Sequence, residues 1–360
     1  MKVSRTSHTS FLDLFPPPRF LEMPSVGLDI SDEVVRFVEL KRHGSHFLVG
    51  LNGEEKIPKD IIQDGFINDK AKLIEILKGI QKKYNLNFIK ASLPEEKSYL
   101  FKTEIPMMEH SEIRGALRFK IEENVPISLA NAVYDHRILK KPQDGDKKLF
   151  VSVTVVHSKV VESYLEVFKS ANLTPMELQI ESQAIAHAAI PRNELGTYII
   201  IAMREYRTVL AIVSGGEVQF TSTLHIGGDL IASSIQKNLN IGVDEVEKIR
   251  KGKEVRDSNE MFLSLVSAAS ALRDEVQKLV SYWENHSQEH GYTQSIEKIL
   301  ISGGDSLLGL DDYLSRSLSF KASIADPWTN ILVIKDYIPP LSLREALDYL
   351  PALGLALPYD

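Results

Sequence analysis

Two passages of the chain repeat the same order of short strands and tight turns, and this repetition restricts the fold more than any other feature. Strands are predicted at 26–30, 34–40 and 47–50, and again at 197–203, 207–213 and 218–226. β-Branched residues and glycine-containing turns favour an antiparallel meander in both places. When the two passages are superposed, Asp29 falls on Ala202. The chain is therefore predicted to be internally duplicated, with one lobe for each copy.

The segment at about 97–157 has no counterpart in the second half of the chain. It contains a predicted strand at 98–105, a helix at 111–124 that Ser111 could cap, and strands at 132–139 and 147–156. This order of elements predicts a small subdomain inserted in the first lobe.

Helices are predicted between and after the strands, at 158–173, 181–190, 227–240, 261–286 and 343–357. Such alternation of strands and helices is typical of the α/β class. A length of 360 residues suffices for two domains with separate cores. We expect an N-terminal tail at 1–24, a first lobe at 25–195 and a second lobe at 196–360. The outer part of the second lobe would span about 229–297.

The composition excludes several kinds of site. The chain has no cysteine, which rules out disulfides and cysteine-ligated zinc. A net charge of -7 argues against a general nucleic-acid-binding surface. No apolar run is long enough for a transmembrane helix. In the segment 1–24, Asp13 and three consecutive prolines interrupt the apolar residues. We expect it to pack on the folded body or to touch a membrane surface rather than to direct secretion.

The first predicted turn, Ser31-Asp32-Glu33, stands where a phosphate-binding turn would begin. A phosphate cradle needs convergent backbone N–H groups, which glycine favours, but this turn has no glycine. Ser31 can donate a hydroxyl, whereas Asp32 and Glu33 would repel a phosphate by roughly 1 to 4 kcal/mol for each close contact. A magnesium ion held through water by Asp29 could relieve this repulsion.

A pair of glycines, Gly303 and Gly304, follows a buried strand and precedes a predicted helix. Glycines at such a place let the backbone approach a flat ring or a phosphate closely, because no Cβ intervenes. A plain strand-to-helix turn is the alternative. Asp305 comes next, and it could cap a helix that starts near Leu307 or Leu310.

Two further motifs have simpler explanations. HSQEH at 286–290 matches a zinc-protease spacing, but Gly291 follows at once, so the end of a helix is the favoured interpretation. The segment 245–256 alternates in charge, which is typical of a solvated helical face, with a docking site for an acidic partner as the alternative.

Taken in order, these segments resemble the PilM family of type IV pilus assembly proteins, within the actin-like superfamily. The resemblance covers nearly the whole chain from Val26 onward. It rests on VGLDISDEVVRFVEL, IPMMEHSEIRGALRFKIEENVPISLANAVYDHRIL, VVESYLEVFKSANLTPMELQIESQAIA, HIGGDLIASSI, ISGGDSLLGLDDYL and DYLPALGLAL.

The resemblance implies a two-lobed, ribonuclease H-like duplicated fold of the actin-like ATPases. It also implies a groove beside the inserted subdomain that binds the N-terminal cytoplasmic tail of the inner-membrane protein PilN. Such a protein would lie on the cytoplasmic face of the inner membrane and connect the membrane complex to the motor side of a pilus or DNA-uptake machine. No nucleic-acid partner is expected.

The resemblance also implies which residues would form the nucleotide site. Asp29 matches the first phosphate-segment aspartate, and Gly303 with Gly304 match the adenosine glycines. The departures from the family pattern are Ser31, Asp32, Glu33, Ala202, Arg204 and Asp305. Because Ala202 replaces the second aspartate, hydrolysis is undermined most. ATP with magnesium stays the candidate cofactor of this weakened site, and no catalytic residue is predicted.

We therefore predict a scaffold whose main chemistry is peptide recognition. The helix at 111–124 would supply apolar contacts and an edge strand near 98–105 would supply backbone hydrogen bonds. Phe101, Leu117 and Ile121 are the candidate groove residues. One alternative is a working ATPase in which magnesium compensates for the acids and turnover closes the lobes. Another is a scaffold of a related secretion system that binds a different membrane tail.

Overall fold

The computed structural model describes residues 25–44, 46–139, 147–250, 259–286, 295–304, 309–331 and 337–358. The strands are β1 (Val26–Ile30), β2 (Val34–His43), β3 (His46–Lys56), β4 (Ile62–Gln63), β5 (Phe66–Ile67), β6 (Phe88–Leu93), β7 (Ser98–Pro106), β8 (Ala132–Ile138), β9 (Lys148–His157), β10 (Thr174–Ile180), β11 (Thr197–Met203), β12 (Thr208–Ser214), β13 (Glu217–Leu224), β14 (Ile296–Ser302) and β15 (Ala322–Ile324).

The helices alternate with these strands. They are α1 (Lys70–Tyr84), α2 (His110–Asn124), α3 (Ser158–Ser170), α4 (Glu181–Ala189), α5 (Gly228–Leu239), α6 (Val243–Arg250), α7 (Asn259–His286), α8 (Leu310–Leu318), α9 (Leu343–Asp348) and α10 (Leu350–Ala356). Short 3-10 turns lie at Glu95–Lys97 and Leu129–Asn131. The mixed α/β class predicted from the sequence is confirmed.

Two five-stranded sheets share one topology, which confirms the duplication. The first has the order β10-β6-β1-β2-β3 and the second the order β13-β12-β11-β14-β15. In each sheet a meander of antiparallel strands is extended by parallel strands on its first member. The turns after β1 and β11 are also alike, since Ser31 N donates to the Val34 carbonyl over 3.0 Å and Arg204 N to the Arg207 carbonyl over 2.8 Å. Because these two bonds are equivalent, Ser31 superposes on Arg204, and Asp29 therefore superposes on Ala202 as predicted.

Helices α4 and α10 pack together in an apolar core between the two sheets. The backbone of α10 can approach α4 and β1 closely because Gly354 of α10 and Gly27 of β1 have no side chain. A Cβ on Gly354 would lie 1.8 Å from the Ala184 carbonyl oxygen, and one on Gly27 would lie 1.9 Å from the Ala352 carbonyl oxygen. The carbonyl oxygen of Gly354 also lies 2.9 Å from Nδ1 of His187. The two lobes thus share a tightly packed helix pair.

A separate three-stranded sheet, ordered β7-β9-β8, leaves the first lobe between β6 and α3. Helix α2 covers one face of this sheet, where Ile113, Leu117 and Ile121 meet alternate residues of β9. We call β7, α2, β8 and β9 the inserted sheet unit. Its helix begins at His110 after Glu109, not at Ser111, because the Glu112 side chain accepts a hydrogen bond from Glu109 N.

The closing helix predicted at 343–357 is two helices. α9 ends at Asp348 and α10 begins at Leu350. Pro351 explains the break, because it has no N–H to donate and its ring clashes with a continuous helix. The segment 1–24, Asp305, Leu307, residues 251–256 and residues 287–290 of the HSQEH motif lie outside the described residues.

Candidate functional site

Asp29 lies near the end of β1 at the bottom of the cleft between the two sheets, and it is 1% exposed. Both of its carboxylate oxygens are engaged. Ser92, on the neighbouring strand β6, donates its hydroxyl to Oδ1 over 2.8 Å. Arg204 donates from Nη2 to Oδ2 over 2.6 Å. The side chain predicted to hold a metal through water therefore holds an arginine.

Arg204 reaches this position from the turn that follows β11 in the second sheet. Its Nε donates to Oε1 of Glu181 over 2.9 Å, so one guanidinium bridges Glu181 and Asp29. Arg207, at the other end of the same turn, donates to Oε2 of Glu181 over 3.0 Å and pairs with Glu96 over 3.0 Å. We call these five side chains, from Asp29, Glu96, Glu181, Arg204 and Arg207, the ion cluster.

Asp29, Glu181 and Arg204 are the buried part of the ion cluster, and the charges of Glu181 and Arg204 stabilise each other. Burial by itself would lower the pKa of Arg204, but attraction to Asp29 and Glu181 outweighs it and raises that pKa well above its usual value. Burial would likewise raise the pKa of Glu181, yet Arg204 and Arg207 hold it below its usual value. Charge-assisted hydrogen bonds of this kind are short and directional. Glu181 and Arg204 are therefore both charged in the folded protein at neutral pH.

The other predicted nucleotide residues are occupied by protein contacts. Ser31 is buried, and its hydroxyl oxygen accepts from Val34 N over 3.2 Å within its own turn. Gly303 adopts a φ of 94° and leaves no room for a Cβ, which would lie 1.9 Å from the Met203 carbonyl oxygen. Gly304 donates its N–H to Oδ1 of Asp348 over 2.8 Å. A carboxylate of the protein thus stands against the glycine pair.

These residues do not fit a magnesium–nucleotide complex. A hard cation needs free carboxylate oxygens, and those of Asp29 are committed to Ser92 and Arg204. Ala202 offers no oxygen ligand from its side chain, and Asp348 would repel a phosphate at Gly304. Among the described residues, no group of three or more His, Asp and Glu side chains is placed to hold a metal ion.

A cavity of about 900 Å³ remains in the cleft outside the ion cluster. Both acidic and basic side chains line its walls. The charged members are Asp32, Glu33, Arg36, Glu54, Lys56, Lys59, Asp60, Asp64, Arg204, Glu205, Arg344, Glu345 and Asp348. Acids outnumber bases in this set, so the cleft as a whole does not favour a polyanion.

A second cavity, of about 230 Å³, lies beside the inserted sheet unit, and we call it the groove. Its floor is the face of the inserted sheet turned away from α2. Its first wall is β10, the edge strand of the first sheet, and its second wall is the start of β13 at Glu217 and Val218. The lining residues used below are Leu100, Val133, Ile180, Gln183, Glu217 and Val218.

The structure corrects the predicted groove residues. Leu117 and Ile121 are fully buried between α2 and the inserted sheet, so no peptide can touch them. Phe101 packs against the same core. Leu100, its neighbour on β7, lines the groove instead. The alternation of side chains along a strand is the signal that separates the two faces, but the sequence does not say which face α2 covers.

The two sheets of like topology, with a cleft between them, give the chain an actin-like fold. The solved structures of the MreB5 protein of Spiroplasma citri bound to ADP and of the ethanolamine utilization protein EutJ from Carboxydothermus hydrogenoformans share this fold. The MreB5 structure has a TM-score of 0.51 at 16% identity, covering 85% of this chain and 93% of its own. The EutJ structure has a TM-score of 0.54 at 14% identity, covering 95% of this chain and 90% of its own.

Within this class, the chain belongs to the family of the type IV pilus assembly protein PilM, which it matches over residues 27–359. A solved structure of a PilM-PilN type IV pilus biogenesis complex has a TM-score of 0.75 with this chain at 18% identity. The match covers 93% of this chain and 98% of the other. Within the described part of the chain, no helix has the length and apolar character needed to cross a membrane.

Proposed function

We propose that this protein is a scaffold of type IV pilus assembly that works without nucleotide. In this role it binds the N-terminal cytoplasmic tail of a PilN-like inner-membrane protein in the groove, and this contact keeps it at the inner face of the membrane. Its family supports the assembly role, and the PilM-PilN complex supports the choice of partner.

The bond between Arg204 and Asp29 is the observation that carries the proposal. To admit magnesium and phosphates, the chain would have to break a buried pair 2.6 Å long and leave both charges without their partner. Removing one partner from a buried ion pair costs about 3–5 kcal/mol. A nucleotide would have to supply this free energy from its own binding. The cleft is therefore proposed to be a degenerate nucleotide site, and the protein is proposed not to be an ATPase.

The shape of the groove supports binding of an extended peptide. It lies between β8 and β10, which are edge strands of two different sheets. An edge strand offers backbone groups to a peptide that adds to the sheet, and alternate side chains of such a peptide enter pockets. Leu100, Val133 and Ile180 supply apolar contacts for those side chains.

A charge placed in the groove tests this site. Val133 lies on β8, lines the groove and is 42% exposed, so Val133→Asp can be made without disturbing the core. We expect this variant to weaken binding of a synthetic tail peptide at least tenfold in calorimetric titration. A buried carboxylate facing apolar groups accounts for the loss, since tenfold corresponds to about 1.4 kcal/mol.

Phe119→Asp is the matched control. Phe119 is 73% exposed on α2, a helix on the opposite face of the inserted sheet, and it does not line the groove. We expect this variant to bind the peptide like the unaltered protein. Equal affinity of the Val133→Asp variant and the unaltered protein would place the tail elsewhere.

A further inference from the structure

We infer that Arg204 is a positioning residue for tail binding, which sets the width of the groove by clamping the two lobes together. This inference rests on the proposed tail-binding function and goes beyond it, because Arg204 does not line the groove. Three features of the described residues support it. The groove walls come from both lobes, one segment contacts both the groove and the ion cluster, and Arg204 reaches its carboxylate partners from the opposite lobe.

The groove is built from both lobes. Leu100 and Val133 come from the inserted sheet unit and Ile180 from the first sheet, whereas Glu217 and Val218 begin β13 of the second sheet. Arg137 of β8 pairs with Glu217 over 2.7 Å across this boundary. Any rotation of the second lobe relative to the first therefore moves one wall of the groove.

A single segment at the start of α4 faces the ion cluster and the groove at once. Glu181 accepts from Arg204 and Arg207, and Ser182 donates its N–H to the buried Glu95 over 2.9 Å. The flanking residues Ile180 and Gln183 line the groove. Gln183 also accepts a hydrogen bond from Val218 N over 3.2 Å. The ion cluster thus fixes the same few residues that form the groove wall.

Arg204 joins the lobes because it belongs to the second lobe, whereas the two carboxylates that it binds belong to the first. Asp29 lies near the end of β1 of the first sheet and Glu181 begins the helix after β10, whereas Arg204 follows β11 of the second sheet. In a site that takes a nucleotide, a bound cation and phosphates would fill this position only when the ligand is present. Here the cation is a side chain, so the clamp is present in every molecule. The groove is therefore held at one width without any ligand in the cleft.

Arg204→Met tests the clamp. Methionine fills much of the volume of the arginine side chain but cannot bind Asp29 or Glu181. We expect tail affinity to fall by about tenfold or more, within the range typical of coupling between distinct sites. The affinity is measured by calorimetric titration with the tail peptide, at a temperature where circular dichroism shows the variant to be fully folded.

Arg36→Met is the matched control, since it makes the same change in the same cleft. Arg36 pairs with Glu54 over 3.0 Å and with Asp348 over 3.8 Å, and neither partner belongs to α4. We expect its tail affinity to stay within twofold of that of the unaltered protein, so a general loss of charge in the cleft is separated from the loss of the clamp.

The distance between the lobes gives a readout that a merely stabilising role would not change. The chain has no cysteine, so Lys78→Cys and Lys237→Cys place two spin labels on exposed helical sites of different lobes without side reactions. We expect a narrow distance distribution with Arg204 present and a broader one in the Arg204→Met protein. Added tail peptide should narrow the broader distribution, because coupling between two sites is reciprocal.

The outcomes separate the inference from the proposed function. If the unaltered protein fails to bind the tail peptide, the proposed function is wrong. If it binds and the Arg204→Met protein binds equally well, the inference is overturned. Should the Arg204→Met protein not fold, Arg204→Lys replaces it, because a single ammonium keeps the charge but cannot reproduce the two-sided contact. We expect this variant to show weaker tail binding and a broader distance distribution, and no change in either would overturn the inference.

Discussion

Arg204, in the turn after β11, spans the cleft between the lobes and binds Asp29 and Glu181. A small residue at position 204 would leave Oδ2 of Asp29 without its cationic partner and the space of the guanidinium unfilled. Arginine fills that space with a planar group whose donors match two carboxylates at once. The pair is not evidence of high stability, because desolvation of buried charges offsets much of their attraction. Its consequence is specificity for one arrangement of the lobes.

Glu95 gives a prediction about pH at the residue scale. Burial raises its pKa to about 7, although it accepts hydrogen bonds from the N–H and hydroxyl of Ser182. Since the folded pKa lies above the usual value of 4.5, the folded protein holds this proton more tightly than the unfolded chain does. The contribution of Glu95 to stability is therefore largest below pH 4.5 and declines as the pH rises to about 7.

Glu95→Gln should remove this dependence. We expect the free energy of unfolding of the unaltered protein, relative to that of the variant, to fall by about 3 kcal/mol between these pH limits, from 1.36 kcal/mol for each pKa unit. Urea denaturation at a series of pH values measures this difference. A difference that stays constant with pH would show that Glu95 titrates normally in the folded protein.

The helix pair α4 and α10 gives a prediction at the scale of elements. Gly354→Ala would place a Cβ against the Ala184 carbonyl oxygen, where only 1.8 Å is available, so the helices must separate. Overpacking of this kind costs typically about 1–3 kcal/mol, which denaturant titration would detect. Because α4 also carries Glu181, we expect weaker tail binding as well.

Gly79→Ala is the control for that substitution. Gly79 lies inside α1, and a Cβ there would have no atom within 4 Å. We expect it to stabilise the protein by about 0.5–1 kcal/mol, since alanine is a better helix former than glycine. If both glycine variants changed stability in the same direction, the proposed close contact between α4 and α10 would not limit the fold.

The elements themselves could be predicted because their signals are local. Alternating apolar residues and turn glycines in the two meanders show in a few neighbouring positions, and the duplication follows from their repeated order. The break in the closing helix was not predicted, although Pro351 is a local signal for it.

The contacts of the site could not be predicted because they join distant parts of the chain. The sequence shows that Arg204 replaces a small residue, but not that its side chain spans the cleft to Asp29 and Glu181. In the same way, Leu100 and Phe101 are equivalent apolar residues of one strand until α2 is known to cover the face of Phe101. Which of two faces is buried is decided by tertiary packing.

At the scale of the whole molecule, the protein combines a cleft that the ion cluster bridges with a groove that lies between three structural units. The inserted sheet unit contacts the second lobe directly, since Lys102 of β7 lies over the ring of Trp283 in α7 at 5.1 Å from its centroid. The lobes are thus joined at the shared helix pair, at the ion cluster and through the inserted sheet unit. These three connections support the proposed scaffold role, in which the lobes do not cycle between open and closed states.

Calorimetric titration of the unaltered protein tests this account most directly. The protein is titrated first with ATP and magnesium, and then with the tail peptide in the absence and presence of ATP and magnesium. We predict no binding of ATP, and the same tail affinity in both peptide titrations. Micromolar binding of ATP with measurable hydrolysis, or tail binding that requires ATP, would contradict the account, because Arg204 would then have to leave Asp29 in the working protein.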